Sequence, residues 1–380
     1  MMEFSAKSPL YQIAFIVFFV ATLVFGVGLR MIFALESRED FDEDDYLSAA
    51  RAFYEAGSLA NYPDVDNNTE HPPLVKILFS LTLNPAELNQ IPESVPRSSL
   101  TELPPDTLRW ARHQAVLVGS LTLLVVGLLI SPLAMLALAV NSVHLHYSSV
   151  AYLDPFGVLG LTLMSTAFVY SLRAEGRRRW WAFGLSAVAF GAAVAVKYPF
   201  ALAGVMLILF ALVYRHYKLL PLVGWGLLAI AVFWVLNPYL WVDPFDRAYG
   251  QLSYHDAYTE TYAAPHTYSK HLEFITSHAD HIVHWRGHPF FVFTDWLLFL
   301  CAVPGVALLL RHRSYYGWWL LGGFLFLSIW ETQWRQHLML IIVPYAYSVA
   351  LGLAWWRDQL AAMIPRVVRR ADTKEGRALG

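Results

Sequence analysis

The chain has 380 residues, 57% of them hydrophobic and 15% charged, with fourteen tryptophans and a formal net charge of −2. A soluble domain has about a quarter of its residues charged, so this composition excludes a soluble globular protein. The near-neutral balance, with no long basic stretch, points to no nucleic-acid partner. The single Cys301, inside an apolar run, excludes a disulfide framework.

A membrane-spanning helix needs roughly 20 mostly apolar residues. Spans are predicted near Phe19, Thr122, Leu138, Leu163, Val188, Met206, Ala229, Phe299, Phe324 and Val349. Together they predict an all-α polytopic membrane protein of about ten transmembrane helices. The first apolar run, from about Leu10 to Leu35, is longer than a signal-peptide core and lacks a small-residue cleavage site, so it reads as a retained helix. The third is the weakest: Ser131-Pro132 interrupts the run before it and Asn141 ends it early. A kink instead of a turn there lowers the count by one.

Arg177-Arg178-Arg179, the stretch Tyr214-Arg215-His216-Tyr217-Lys218, Arg311-His312-Arg313, and Arg366 with Arg369 and Arg370 all fall in alternate connections. Basic residues favour cytoplasmic loops, which places both termini inside. Two long loops, 36–112 and 237–290, then lie outside. Residues 1–365 read as one membrane domain and 366–380 as a polar cytoplasmic tail, disordered from Ala371. The expected location is a multi-pass integral membrane protein, in the plasma membrane or, in a eukaryote, the endoplasmic reticulum.

In the first outer loop, Tyr46, Leu47, Ala50, Phe53 and Tyr54 recur at helical spacing and Gly57 can end that helix. The helix either lies on the membrane surface or packs on the transmembrane bundle. Pro72 and Pro73 suit the first turn of a second short helix. The proline-rich stretch from Asn84 to Pro105 reads as a loop.

The chemistry concentrates outside. Asp42 and Glu43 belong to an acidic run, Phe41-Asp42-Glu43-Asp44-Asp45-Tyr46. A carboxylate beside the bilayer can act as a general base with a pKa raised by partial burial. The same run also reads as a solvated cap for the helix at Tyr46, which is the preferred reading for Asp44 and Asp45. Asp154 either caps the fourth span or acts in a short outer turn. Lys76 and Lys197 either snorkel to the interface or hold an anion. Arg335 either pairs with Glu331 at helical spacing or does the same.

Five short motifs occur in order: the acidic run, His71-Pro72-Pro73-Leu74-Val75-Lys76, Tyr152-Leu153-Asp154-Pro155-Phe156, Lys197-Tyr198-Pro199, and Arg335-Gln336-His337 followed by Pro344. The set resembles the protein O-mannosyltransferases and their relatives that transfer aminoarabinose to lipid A, both of the GT-C superfamily. The resemblance implies a GT-C-type arrangement whose first outer loop bears short interfacial helices. It also implies an outer-face glycosyltransferase that uses a polyprenyl phosphate carrying one sugar, with inversion at the anomeric carbon. By this likeness Asp42 is the base, Glu43 stands beside it, and Asp154 is a second acid orienting acceptor or donor. Lys76, Lys197 and Arg335 would meet the lipid phosphate, with His71 and His337 in the same substrate-binding set. Fixed cations there stabilise charge developing on the leaving group. The prolines after His71 remove two N–H donors from that helix end and leave Lys76 to supply the deficit.

No soluble outer domain of the kind many O-mannosyltransferases carry is visible. The acceptor therefore stays open between a protein hydroxyl, a glycan and a lipid head group. In the second outer loop His281, His284 and His288 share a helix face, with His278 nearby, a spacing compatible with zinc. No carboxylate or cysteine completes a convincing set, so no cofactor beyond the lipid-linked donor is required, with a divalent metal at these histidines as the lesser alternative. Tyr249, Tyr254, Tyr258, Tyr262 and Tyr268 suit a sugar, a lipid head or an interfacial belt. Asn67-Asn68-Thr69 is a glycosylation sequon in a secretory compartment. Two other classes compete: a transporter or flippase, which would carry ionisable groups at mid-membrane, and a non-catalytic assembly subunit, which would tolerate loss of Asp42.

Overall fold

The computed structural model describes residues 9–37, 39–93, 102–262, 270–277, 289–330, 332 and 334–378. Among them there are fifteen α-helices, joined by short 3-10 turns, and no strand. In chain order these are α1 (Pro9–Glu36), α2 (Phe41–Ala56), α3 (Leu74–Ser80), α4 (Pro105–Leu129), α5 (Pro132–Val140), α6 (Ser142–Tyr147), α7 (Asp154–Arg173) and α8 (Gly176–Val194). There follow α9 (Ala201–Val213), α10 (Leu219–Val235), α11 (Pro244–Tyr262), α12 (Lys270–Ser277), α13 (Pro289–Arg311), α14 (Tyr315–Ile329) and α15 (Ile342–Ala378).

Five stretches are long and apolar enough to cross a membrane: Gln12–Glu36, Pro105–Leu129, Asp154–Arg173, Phe290–Arg311 and Arg335–Met363. Three shorter apolar helices, Tyr198–Val213, Leu219–Val235 and Tyr315–Ile329, accompany them. Nine of the ten predicted span centres fall in helices of 13 residues or more; Leu138 falls in α5, which has 9. A helix of that length rises only about 14 Å. Ser131 caps α5 through its hydroxyl, and the Asn141 side chain accepts from His144 N at 3.0 Å to start α6. The third predicted span is therefore two short capped helices, because polar capping residues at both ends fix the breaks. At the other terminus α15 runs as helix through Ala378.

The hairpin of α7 and α8 sets the polarity of the molecule. Asp154 opens α7, and Lys197 follows the last turn of α8, so the two meet at one end. The basic turns lie at the other. Arg179 Nη2 donates to His216 O at 2.7 Å and its guanidinium lies 4.5 Å from the Tyr217 ring, while Arg313 sits over Tyr214 at 5.7 Å. Twenty residues of α7 separate the two ends by about 30 Å.

α7 and α8 approach closely through small residues. A Cβ on Gly157 would fall 2.0 Å from the Phe200 ring, and one on Gly160 2.9 Å from Ala193. Packing of this kind replaces the missing hydrophobic drive between helices in lipid. Gly157 lies one turn below Asp154, and Phe200 three residues after Lys197, so this contact fixes the separation of the acid and the amine.

In the first loop, α2 has the predicted pattern except at Tyr54, which is 38% exposed. Tyr46, Leu47, Ala50 and Phe53 are 2% exposed or less, and Gly57 follows with φ +69°. The buried face packs against α3, Ile91 and the bundle, so the helix is part of the protein core. Asp44, expected to be solvated, is only 2% exposed, because the buried face is broad enough to include it.

Candidate active site

The start of α2 carries one half of a capping box, the Glu43 side chain reaching back to the Asp40 N–H at 2.9 Å, while Glu43 N closes on the Asp40 backbone carbonyl at 3.1 Å. This fixes the helix entry and turns adjacent side chains in different directions, since successive helical residues differ by about 100°.

Glu43 turns inward and is fully buried. Arg112 of α4 grips it twice, Nε to Oε1 at 2.8 Å and Nη2 to Oε2 at 2.6 Å. Ala151 N adds a third donor at 2.7 Å to Oε1. The other arm of Arg112 donates to Ala34 O and Ser37 O at 3.0 and 2.8 Å. Both oxygens of Glu43 are thus saturated, and the residue ties α1, α2, α4 and the turn before α7 together.

Asp42 is partly exposed. Its Oδ2 accepts from Tyr46 Oη and Gln336 Nε2, each at a loose 3.4 Å, and no group of the described residues bonds Oδ1. Although some solvent reaches it, Asp42 sits deep among protein atoms, and that burial pushes its carboxyl up to about 7. Lys197 is the strongest charge acting on it and opposes the rise, while Asp40, Asp45 and Asp154 reinforce it.

Asp154 and Lys197 are 2% and 4% exposed, with Nζ 3.1 and 3.3 Å from the two carboxylate oxygens. The structure thus brings Asp42, Asp154 and Lys197 together from three separate stretches of chain. Asp154 is at the first turn of α7, where the helix dipole favours a carboxylate, and its snorkelling partner is drawn inward to it.

Lys76 is elsewhere. It is 1% exposed and donates to Asn68 O, to Asn68 Oδ1 at 3.0 Å and to His71 O at 2.8 Å. Burial pushes the amine down to about 7, with Glu70 and Asp45 acting the other way. Three acceptors take up three N–H groups, and through them Lys76 braces the loop ahead of α3. His71 packs its ring on Tyr46 at 6.2 Å.

Arg335 and His337 lie on the 3-10 turn Arg335–Ile341 that follows α14. Arg335 sits over Phe274 of α12 at 5.1 Å and within electrostatic reach of Asp40 and Glu273. His337 meets Trp330 edge-on at 6.3 Å. Of this trio, Gln336 is the one that touches Asp42. Glu331, the alternative partner for Arg335, is outside the described residues, as are His278, His281, His284 and His288. Among the described residues no group of three or more His, Cys, Asp or Glu is arranged to hold a metal.

Several site groups have no motif of their own. Asp40 holds Tyr152 Oη at 2.9 Å and His146 Nε2 at 3.0 Å. Tyr152 meets Tyr46 edge-on at 5.8 Å and Tyr147 at 5.2 Å. α11 bridges the two outer loops: Gln251 accepts from Tyr198 Oη and donates to Thr69 O, and Arg247 donates to Pro63 O and to Tyr239 O. Tyr249 on the same helix is 73% exposed; Tyr268 and the side chains of Tyr258 and Tyr262 lie outside the description. In the sequon, Asn67 Nδ2 is engaged by Ser48 Oγ at 3.1 Å and Glu93 O at 2.9 Å.

No protein-family model matches the chain, and no curated protein sequence matches it. Solved structures do match its fold. ArnT from Cupriavidus metallidurans in the apo state superposes with a TM-score of 0.63 at 16% identity, covering 93% of this chain and 63% of that one. The same protein bound to undecaprenyl phosphate gives 0.55 at 14%, covering 94% and 63%. The oligosaccharyltransferase AglB from Archaeoglobus fulgidus, in complex with an inhibitory peptide and a dolichol-phosphate, gives 0.51 at 13%, covering 96% and 52%. The chain spans under two thirds of ArnT and about half of AglB. The chain shares its fold with these proteins, and its described residues form an all-α structure with five helices long and apolar enough to cross a membrane.

Proposed function

We propose that the chain is a membrane glycosyltransferase that moves a sugar from a polyprenyl-phosphate donor to an acceptor at the end of the bundle opposite its basic turns. The observation that carries this reading is the trio of Asp42, with one open oxygen and a raised pKa, beside the buried Lys197–Asp154 pair. Its support is the shared fold, since ArnT and AglB have been solved with undecaprenyl phosphate and a dolichol-phosphate respectively. The positive-inside pattern makes this the extracytoplasmic face.

In the reaction the acceptor oxygen attacks the anomeric carbon. The bond from that carbon to the phosphate oxygen breaks, and its electron pair stays on the phosphate. Asp42 takes the acceptor proton through Oδ1. Lys197, held by Asp154, stabilises the carboxylate form of Asp42 and the negative charge growing on the leaving group. Arg335, within electrostatic reach of Asp40, supplies a second cation. Asp154 is too buried to meet an acceptor directly, and its part is to position Lys197. Holding the reactants in line at this end removes an entropic cost.

The position of Lys197 also speaks against a transporter. It lies beyond the last turn of α8, at a helix end, not in the middle of the bundle.

The test supplies purified protein with labelled polyprenyl-phosphate hexoses and pentoses and a membrane fraction. Wild-type protein is expected to move label to one class of molecule, and Asp42→Asn to move none. Absence of transfer from every donor, or an unimpaired Asp42→Asn protein, would overturn the reading.

A further inference from the structure

The geometry points to Gln251 of α11 as a positioning residue of the site: through Tyr198 it holds the segment that carries Lys197, and through Thr69 it ties that segment to the turn that carries His71. The inference rests on the transferase reading, in which Lys197 stabilises the leaving group. Gln251 belongs to none of the five ordered motifs, and its place is set by long-range contacts alone.

Gln251 is 4% exposed, and both ends of its amide are used. The carbonyl oxygen accepts from Tyr198 Oη, and the amide nitrogen donates to Thr69 O. A buried polar group with its partners in place rigidifies what it joins. Removing it would strand a hydroxyl and a carbonyl, which costs more than the bonds contribute when made. Arg247 lies one turn earlier on the same helix face. It donates to Pro63 O and to Tyr239 O, and its guanidinium lies 4.7 Å from the Tyr239 ring. Arg247 thus fastens α11 to the first outer loop, and Gln251 is the member of the pair whose partners adjoin site residues.

Each bond of Gln251 leads to the site through bonded or packed neighbours. Tyr198 follows Lys197 directly in the chain, and its ring rests edge-on against Phe233 at 6.1 Å. Lys197 Nζ is 3.1 and 3.3 Å from the Asp154 oxygens. Phe200, seated on Gly157, fixes this turn from below, and Tyr198 fixes it from the side of α11. On the other arm, Thr69 is two residues from His71. The His71 ring packs on Tyr46 at 6.2 Å, and its carbonyl accepts from Lys76 at 2.8 Å. Tyr46 Oη in turn donates to Asp42 Oδ2 at 3.4 Å. Gln251 therefore spans two halves of the site, the α2 side bearing Asp42 and the end of α8 bearing Lys197. A displacement of about 1 Å at a reacting group costs turnover steeply, so a tie between the halves bears on rate as well as on stability.

The experiment uses the full chain in detergent, with the labelled donor and the membrane fraction. Gln251→Met keeps the length and loses both bonds. It is expected to lower turnover about tenfold while the donor KM stays within about twofold of wild type. Tyr198→Phe keeps the ring packing and the Gln251–Thr69 bond, and is expected to fall about as far; it stands in should Gln251→Met not fold. The double variant is expected to lie within about twofold of either single one, because both remove the same link. Amide exchange, read by mass spectrometry without any turnover, is expected to quicken at residues 62–71 and 196–200 in Gln251→Met and at 196–200 alone in Tyr198→Phe. Unchanged turnover in Tyr198→Phe, falls that multiply in the double variant, or unchanged exchange at 196–200 would overturn the proposal. A Lys197→Met protein as active as wild type would instead remove the underlying reading, whatever the exchange shows.

Discussion

Two buried acid–base pairs sit at the same end of the bundle, and they are built differently. Glu43 receives four donors: two from Arg112, one from Ala151 N and one from Asp40 N. Asp154 is held by one ammonium, which also acts on Asp42, and by its own backbone N–H. A carboxylate with all its lone pairs committed has a low-energy place and no reason to change partner. A lysine between two carboxylates is a mobile point charge whose preference shifts when a new anion arrives. Hydrogen-bond saturation, more than burial or charge, separates scaffold from chemistry here.

The largest effects should break this contrast in opposite ways. Asp42→Asn is expected to cost a factor of about 10² to 10⁴ in turnover without lowering the melting temperature. Glu43→Gln, one residue away, is expected to destabilise the fold by about 3–5 kcal/mol, because it leaves Arg112 buried and uncompensated; thermal unfolding in detergent reads this. A Glu43→Gln protein that melts normally would erase the distinction. Next comes Lys197→Met, expected to slow transfer about 100-fold with a smaller loss of stability, since Asp154 can protonate once its partner is gone. Equal damage to stability from Lys197→Met and Glu43→Gln would show the two pairs to be of one kind.

Sequence pattern carried unequal parts of this. Asp42, Asp154 and Lys197 stand out because each is an ionisable residue at the edge of an apolar run, where a charge needs a reason. Nine predicted centres fall in helices of 13 residues or more, five of them in stretches long and apolar enough to cross a membrane, and the tenth falls where Ser131 and Asn141 cap short helices. The divergence of Asp42 and Glu43 is beyond local pattern: which of two neighbours turns inward depends on Arg112, 69 positions away. Two signals could have been used. Asp40-x-x-Glu43 has the spacing of a capping box, and an arginine inside the α4 stretch calls for an acid partner. The bracing role of Lys76 had no such signal. Its acceptors are loop carbonyls, placed by an Asn68 backbone at φ +51°.

The pH profile sharpens the comparison further. Asp42 works as a base only when ionised, and its carboxyl is pushed up to about 7. Turnover is therefore expected to rise tenfold per pH unit below about 7 and to level off above it. Lys197 opposes that rise, so Lys197→Met should carry the limb to higher pH. For stability the sign is reversed. A carboxyl raised from 3.8 gives its full contribution below that value and loses it as pH climbs through about 7, a loss Asp42→Asn should abolish. A smaller effect is expected at Gly157, where an added Cβ meets Phe200 at 2.0 Å. Gly157→Ala should cost about 1–3 kcal/mol by overpacking and move Lys197 away from Asp154, lowering turnover more than stability alone explains.

The smallest effect should come from Gln336, the only residue of its motif that touches Asp42 among the described residues. Its amide and the Tyr46 hydroxyl both reach Oδ2 at 3.4 Å, which is long for a hydrogen bond. Each contact is therefore weak, and their joint consequence is directional: they occupy Oδ2 and leave Oδ1 toward the acceptor. A hydrogen bond of this kind contributes about 0.5–1.5 kcal/mol, so Gln336→Leu should slow turnover about two- to tenfold. Since the amide donates to the carboxylate form, its removal should also raise the pH at which activity reaches half its maximum. Gln336→Glu would place a second negative charge against Asp42 and shift that midpoint further the same way. If both variants kept the wild-type midpoint, the loose contacts on Oδ2 would be incidental, and the orientation of Asp42 would rest on the helix α2 backbone and the Asp40–Glu43 contact alone.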